Sequence, residues 1–114
     1  MATLYGSKIE TANPMFADIR AFVSALDGKL TPHRRYGWDK PTFAPPGHHR
    51  IQLAASQGDL SAEVATSADL LAGHVYRVRA NWAADTGRLI LWLEDDPYGT
   101  SASEPVEIVS GLRP

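Results

Sequence analysis

The chain has 114 residues, 44% of them hydrophobic and 21% charged, with a formal net charge of −2 and no cysteine. That length holds one ordinary domain with one core, expected to span residues 1–114, and the composition is that of a folded globular chain. The charge balance speaks against a nucleic-acid partner, which calls for a basic face, and the lack of cysteine removes disulfides and thiolate metal sites.

No apolar run reaches the length of a membrane span, so no membrane partner is expected. Residues 1–8 lack the basic-then-apolar pattern of a secretory signal. The first patterned stretch, Asn13 to Gly28, carries two competing signals. Asn13 suits a helix N-cap, Pro14 the first helical position and Gly28 a C-terminal stop, with Phe16, Ile19, Phe22, Val23 and Leu26 at helical spacing. A strand would instead set Ile19, Ala21 and Val23 on one face and Arg20, Phe22 and Ser24 on the other. Local chemistry alone leans to the helix.

Lys29 to His49 holds Pro32, Gly37, Pro41, Pro45, Pro46 and Gly47, a density of breakers that leaves room only for a short strand at Thr42–Ala44. Long loops of this kind tend to be functional or mobile. Arg50–Ala55 and Leu60–Val64 then alternate about a turn at Gln57-Gly58-Asp59 and predict a hairpin. From His74 to Trp82 the residues Tyr76, Val78, Ala80 and Trp82 share one face, with Arg77, Arg79 and Asn81 on the other. A short connection through Gly87 leads to Arg88–Glu94. Leu89, Leu91 and Leu93 face one way there and Ile90 and Trp92 the other. A strand apolar on both faces is expected to be central or covered, and Trp82 and Trp92 are expected in the core. Val106 and Ile108, entered from Pro105, predict an edge strand. Short strands joined by tight turns point to an all-β sandwich or barrel.

Ile51 to Val64, Gly73 to Trp82 and Asp85-Thr-Gly-Arg-Leu-Ile-Leu-Trp-Leu-Glu-Asp95 resemble the hairpins of concanavalin A-like (laminin G-like) lectin and glucanase sandwiches, of the type found in phage virion proteins. The resemblance covers roughly residues 15 to 95. It implies an antiparallel jelly-roll sandwich with at most one short helix, and it assigns an early strand to residues 17–24. Full members are longer. Either strands are missing here, or the chain is a fragment, or it completes its sheets by association. The resemblance also implies a non-catalytic structural or carbohydrate-binding module, in a virion or on an extracellular surface. Its partners would be itself as a homo-oligomer, other structural proteins or a glycan.

Tyr36, Trp38 and Phe43 in the long loop, together with Tyr98, supply rigid aromatic area that can stack on a sugar or a partner protein. The candidate ligand-binding residues are Tyr36, Trp38, His48, His49 and Tyr98. As neighbours on an extended chain, His48 and His49 point apart, so a metal would need a third ligand such as His33. The four histidines, His74 included, read as solvated loop residues. No cofactor is expected. The one ion considered is calcium, with Asp95 and Asp96, beside Glu94, as oxygen ligands. No Glu-x-Asp-x-x-Glu run occurs, no glycine elbow surrounds Ser56, Ser61 or Ser67, and no glycine-rich phosphate loop is present, so the chain is not expected to be an enzyme. The alternatives are a small carbohydrate-active enzyme and a cytoplasmic α+β interaction domain with a helix at 14–27. Charge is polarised: Lys29, Arg34, Arg35, Lys40 and Arg50 face only Asp39 in one segment. Glu94 to Glu107 holds five acids and no base. Such poles either pair within the fold or steer one copy onto another.

Overall fold

The computed structural model describes residues 1–10, 18–31, 37–83, 88–96 and 98–108. They form strands β1 (Ala2–Tyr5), β2 (Ser7–Ile9), β3 (Ile19–Leu26), β4 (Lys29–Leu30), β5 (Thr42–Ala44), β6 (Gly47–Gln57), β7 (Leu60–Leu70), β8 (Val75–Ala83), β9 (Arg88–Asp96), β10 (Thr100–Ser101) and β11 (Val106–Ile108). The expected all-β class and two-sheet sandwich are what the structure has. The first sheet runs β10-β9-β8-β1-β5, with β11 also on β9. The second runs β2-β3-β6-β7, with β4 also on β3. All the pairings among the described residues are antiparallel except that of β1 with β8.

Alternation decides which side chains meet between the sheets. From the first sheet come Leu4, Tyr76, Val78, Leu89, Leu91 and Leu93. From the second come Ile19, Ala21, Val23, Ile51, Leu53 and Ala55, all buried in one cluster. Tyr76 is fully buried, and its hydroxyl accepts the Leu71 N–H at 2.8 Å, so its polar end is satisfied.

β3 settles the ambiguous segment. Residues 19–26 are a strand, which removes the α+β alternative, while residues 11–17 lie outside the described set. Gly28 is no helix stop. Asp27 (φ 50°) and Gly28 (φ 85°) form the two-residue loop of the β3–β4 hairpin, in which Leu26 pairs with Lys29. Positive φ at both central residues is the mirror-image turn that Asp-Gly favours and that matches strand twist. β3 is also buried on its second face, at Phe22 and Ser24.

The breaker-rich stretch is more ordered than its composition suggests. β4 opens it, β5 stands at Thr42–Ala44 as expected, and β6 begins at Gly47 rather than Arg50. His48 and His49 are therefore strand residues. β7 likewise continues past Val64 to Leu70, because each residue from Gly47 to Gln57 finds a partner across the ladder.

Trp92 is corrected as well. It lies on the outer face of the first sheet opposite Arg79, half-buried and outside the core, whereas Trp82 packs against the core from its margin. Trp82→Ala is expected to cost about 2 kcal/mol, below the range of fully buried aromatics, and Trp92→Ala about 1 kcal/mol or less. Urea denaturation of the two variants reads the difference, and equal losses would count against this placement.

The edges of the first sheet are guarded by different devices, and the 11-residue β7 ends the second. β5 is three residues long and bracketed by Pro41, Pro45 and Pro46, which have no N–H to offer a further strand. On the opposite side, the Ser103 hydroxyl accepts the Leu93 N–H of the first sheet at 2.8 Å. Ser103 itself bridges to Ala68 of the second. β11, the predicted edge strand, pairs with β9 alone and comes near β7 of the second sheet.

Candidate functional site

Among the described residues, those singled out in the sequence do not converge on one site. Tyr36 and His33 lie outside the described residues. Trp38 is half-buried, and its carbonyl accepts the Gly6 N–H at 2.7 Å, so it forms part of the wall beside Leu4, Phe22 and Thr42. Phe43 projects from β5 on the outer face of the first sheet and is 60% exposed.

His48 and His49 point apart, as neighbours on a strand must. His48 is exposed, with Nδ1 2.7 Å from an Asp69 carboxylate oxygen. It borders two adjoining open depressions of about 670 and 690 Å³ that share Ser67, Glu104 and Pro105. His49 is buried, which corrects its reading as a solvated loop residue. Its Nδ1 is 2.6 Å from Asp27 Oδ2 and its Nε2 is 2.6 Å from the Pro45 carbonyl oxygen. The hydrogen bond to Asp27 raises the His49 pKa above the usual 6.5; burial opposes this and the Pro45 carbonyl adds to it. The same contact, with the Arg50 N–H, lowers that of Asp27.

Asp95 and Tyr98 do come together, around His74. Nδ1 of His74 is 2.8 Å from Asp95 Oδ2, and its ring lies 6.2 Å from that of Tyr76 and 6.1 Å from that of the exposed Tyr98. Asp95 Oδ1 is buried with no hydrogen-bond partner among the described residues. Asp96 points to the opposite face, where its carboxylate is 3.4 Å from Arg77 Nε, and Glu94 on that face is 3.1 Å from Arg79 Nε. The three adjacent acids, the candidate calcium ligands Asp95 and Asp96 among them, are thus each engaged with a basic side chain from β8 or its approach. They do not converge on a common point. Glu94, Asp95 and Asp96 of the acidic pole therefore pair within the first sheet, with Arg79, His74 and Arg77.

The outer face of the first sheet is the surface that residue-by-residue reading overlooked. Registers place Phe43 beside Thr3, Tyr5 beside Arg77, Arg79 beside Trp92, and Ile90 between Asn81 and Glu107. The Arg77 guanidinium lies 5.2 Å from the centre of the Tyr5 ring, within cation–π range, and also donates to the Gly6 carbonyl at 2.9 Å. Arg88 donates to both carboxylate oxygens of Glu107, at 2.6 and 3.1 Å, and this contact lowers the Glu107 pKa. The result is a field of aromatic and aliphatic groups crossed by arginine–carboxylate pairs. The signal for it was in the sequence: the second apolar face of β9, Ile90 and Trp92, is neither core nor overlaid by the second sheet.

No family model, no curated protein and no solved structure matches this chain.

Proposed function

We propose that this chain is a non-catalytic structural and binding module that works by self-association, as a component of a phage virion or a cell-surface assembly. The observation that supports this reading is the outer face of the first sheet. Tyr, Trp, Phe and Arg are the residue types enriched in protein–protein hot spots, and Tyr5, Phe43, Arg77, Arg79 and Trp92 share this one face. The pairwise engagement of the acids supports the non-catalytic half of the reading, since acid–base hydrolysis needs two carboxylates opposed across a cleft. The relationship to concanavalin A-like jelly rolls is part of this proposal and rests on the resemblance of the hairpin sequences.

The expected result is a concentration-dependent dimer or higher oligomer in sedimentation velocity across the micromolar to submillimolar range, weaker at high salt. Screening to roughly 3 Å near 1 M salt removes the contribution of exposed charges. A monomer at every concentration and both salt levels returns the weight to a monomeric ligand-binding domain.

A further inference from the structure

We infer that the partner of this face is a second copy of the same face, packed sheet on sheet about a two-fold axis that runs along the strands between β8 and β9. The inference rests on the self-association reading and gives it a geometry.

β8 and β9 lie side by side, with Arg77 opposite Glu94 and Arg79 opposite Trp92 in the ladder. A two-fold axis between them and parallel to them lays β8 of one copy over β9 of the other at the same height. Arg77 then meets Glu94 of the second copy, and Arg79 lies over the second copy's Trp92 ring. Each contact occurs twice, as an isologous interface requires. The face is thus complementary to itself in charge, and the arginine-on-indole contact is the favoured cation–π pairing. On the first sheet, edge-to-edge association has less to work with, because β5 is bracketed by prolines and the other edge is formed by β10 and β11, of two and three residues. At about 4.8 Å per strand and 3.3 Å per residue, β8 and β9 with the shorter β1, β10 and β11 present roughly 430 Å² per copy. Two copies bury roughly 860 Å², the size of a weak, transient interface, so the complementary charges and the arginine-on-indole contact rather than area carry the association.

Charge exchange tests the geometry. Arg77→Glu alone sets two acids against each other across the axis, and Glu94→Arg alone sets two bases. Each variant by itself is expected to lose dimerisation by at least about tenfold. An equimolar mixture of the two re-forms a dimer, because the acid introduced at position 77 of one chain then meets the base introduced at position 94 of the other. Trp92→Ala, whose folding is checked separately by urea denaturation, is expected to weaken association by about tenfold as well. Dimers that survive all three substitutions overturn this interface and leave self-association standing. Single variants that lose the dimer without rescue on mixing also overturn it. A wild-type chain that stays monomeric overturns both.

Discussion

Gly6→Ala is expected to destabilise the protein by about 3 kcal/mol or more, at the upper end of what overpacking costs. β1 belongs to the first sheet and β2 to the second, and Gly6 is the one residue between them, where the chain crosses the sandwich. The crossing is tight. The Gly6 N–H donates to the Trp38 carbonyl at 2.7 Å, its carbonyl accepts from Arg77 at 2.9 Å, and the Ser7 hydroxyl donates to the Val78 carbonyl at 2.5 Å. A Cβ here would overlap the Ala21 carbonyl oxygen and sit 2.8 Å from that of Trp38, with the Phe22 Cβ at 3.2 Å. Backbone oxygens in a hydrogen-bonded sheet cannot step aside as a flexible side-chain end can, so either the crossing or the ladder must shift.

Gly28→Ala provides the contrast. There the φ is +85° but nothing lies within 4 Å of the new Cβ. The cost is only that of a left-handed conformation, about 1 kcal/mol. Urea denaturation of both variants separates lack of space from lack of conformational freedom. A Gly6→Ala loss no larger than that of Gly28→Ala would show that the crossing can open.

The crossing was not legible in the sequence. Ala2–Tyr5 and Ser7–Ile9 are too short for a period of two to stand out, and a glycine near a chain start announces nothing by itself. The hairpins of β6–β7 and β8–β9 were legible, because long alternation with one buried face fixes both element and register. β3 was harder: Asn13, Pro14 and Gly28 mimic helix caps. Only the family resemblance pointed to a strand; the Asp27-Gly28 pair, which marks a hairpin turn as strongly as Gly28 marks a helix stop, was the local signal passed over. The candidate sites were less legible still. Asp95 and Asp96 read as neighbours and therefore as joint ligands, yet alternation sends them to opposite faces of β9. Trp92 read as core because a strand apolar on both sides was expected to be covered on both. In this fold its second face is the one turned outward.

His49→Ala is expected to cost about 2 kcal/mol near pH 6, the range for losing hydrogen bonds to a charged group, because the Asp27 carboxylate left behind is 53% exposed and keeps its water. The protonation state follows from the partners. A backbone carbonyl and a carboxylate both accept hydrogen bonds, so each ring nitrogen of His49 must carry a proton, and the side chain is an imidazolium. That cation ties the Pro45 corner, where the chain passes from β5 of the first sheet to β6 of the second, to the Asp27-Gly28 turn. Asp27 Oδ1 also accepts the Arg50 N–H at 2.9 Å, and the Asp27 N–H donates to the Arg50 carbonyl at 2.8 Å. Beyond the pair itself, the group that acts on Asp27 through its charge is His48, and weakly. A folded-state pKa raised above 6.5 means that the stabilisation is fully present below about pH 6.5 and is lost as pH rises through the higher folded value. The lowered pKa of Asp27 acts at the other end: its contribution is present above about pH 3.8 and is lost as pH falls through the lower folded value. The urea midpoint of the wild type should therefore fall between pH 6 and pH 9, while that of His49→Ala falls less, because the group that titrates is gone. His48 and His74 are present in both proteins, so the difference between the two curves isolates His49. Parallel curves over that range would mean that the buried imidazole folds neutral and that the corner is held by packing instead.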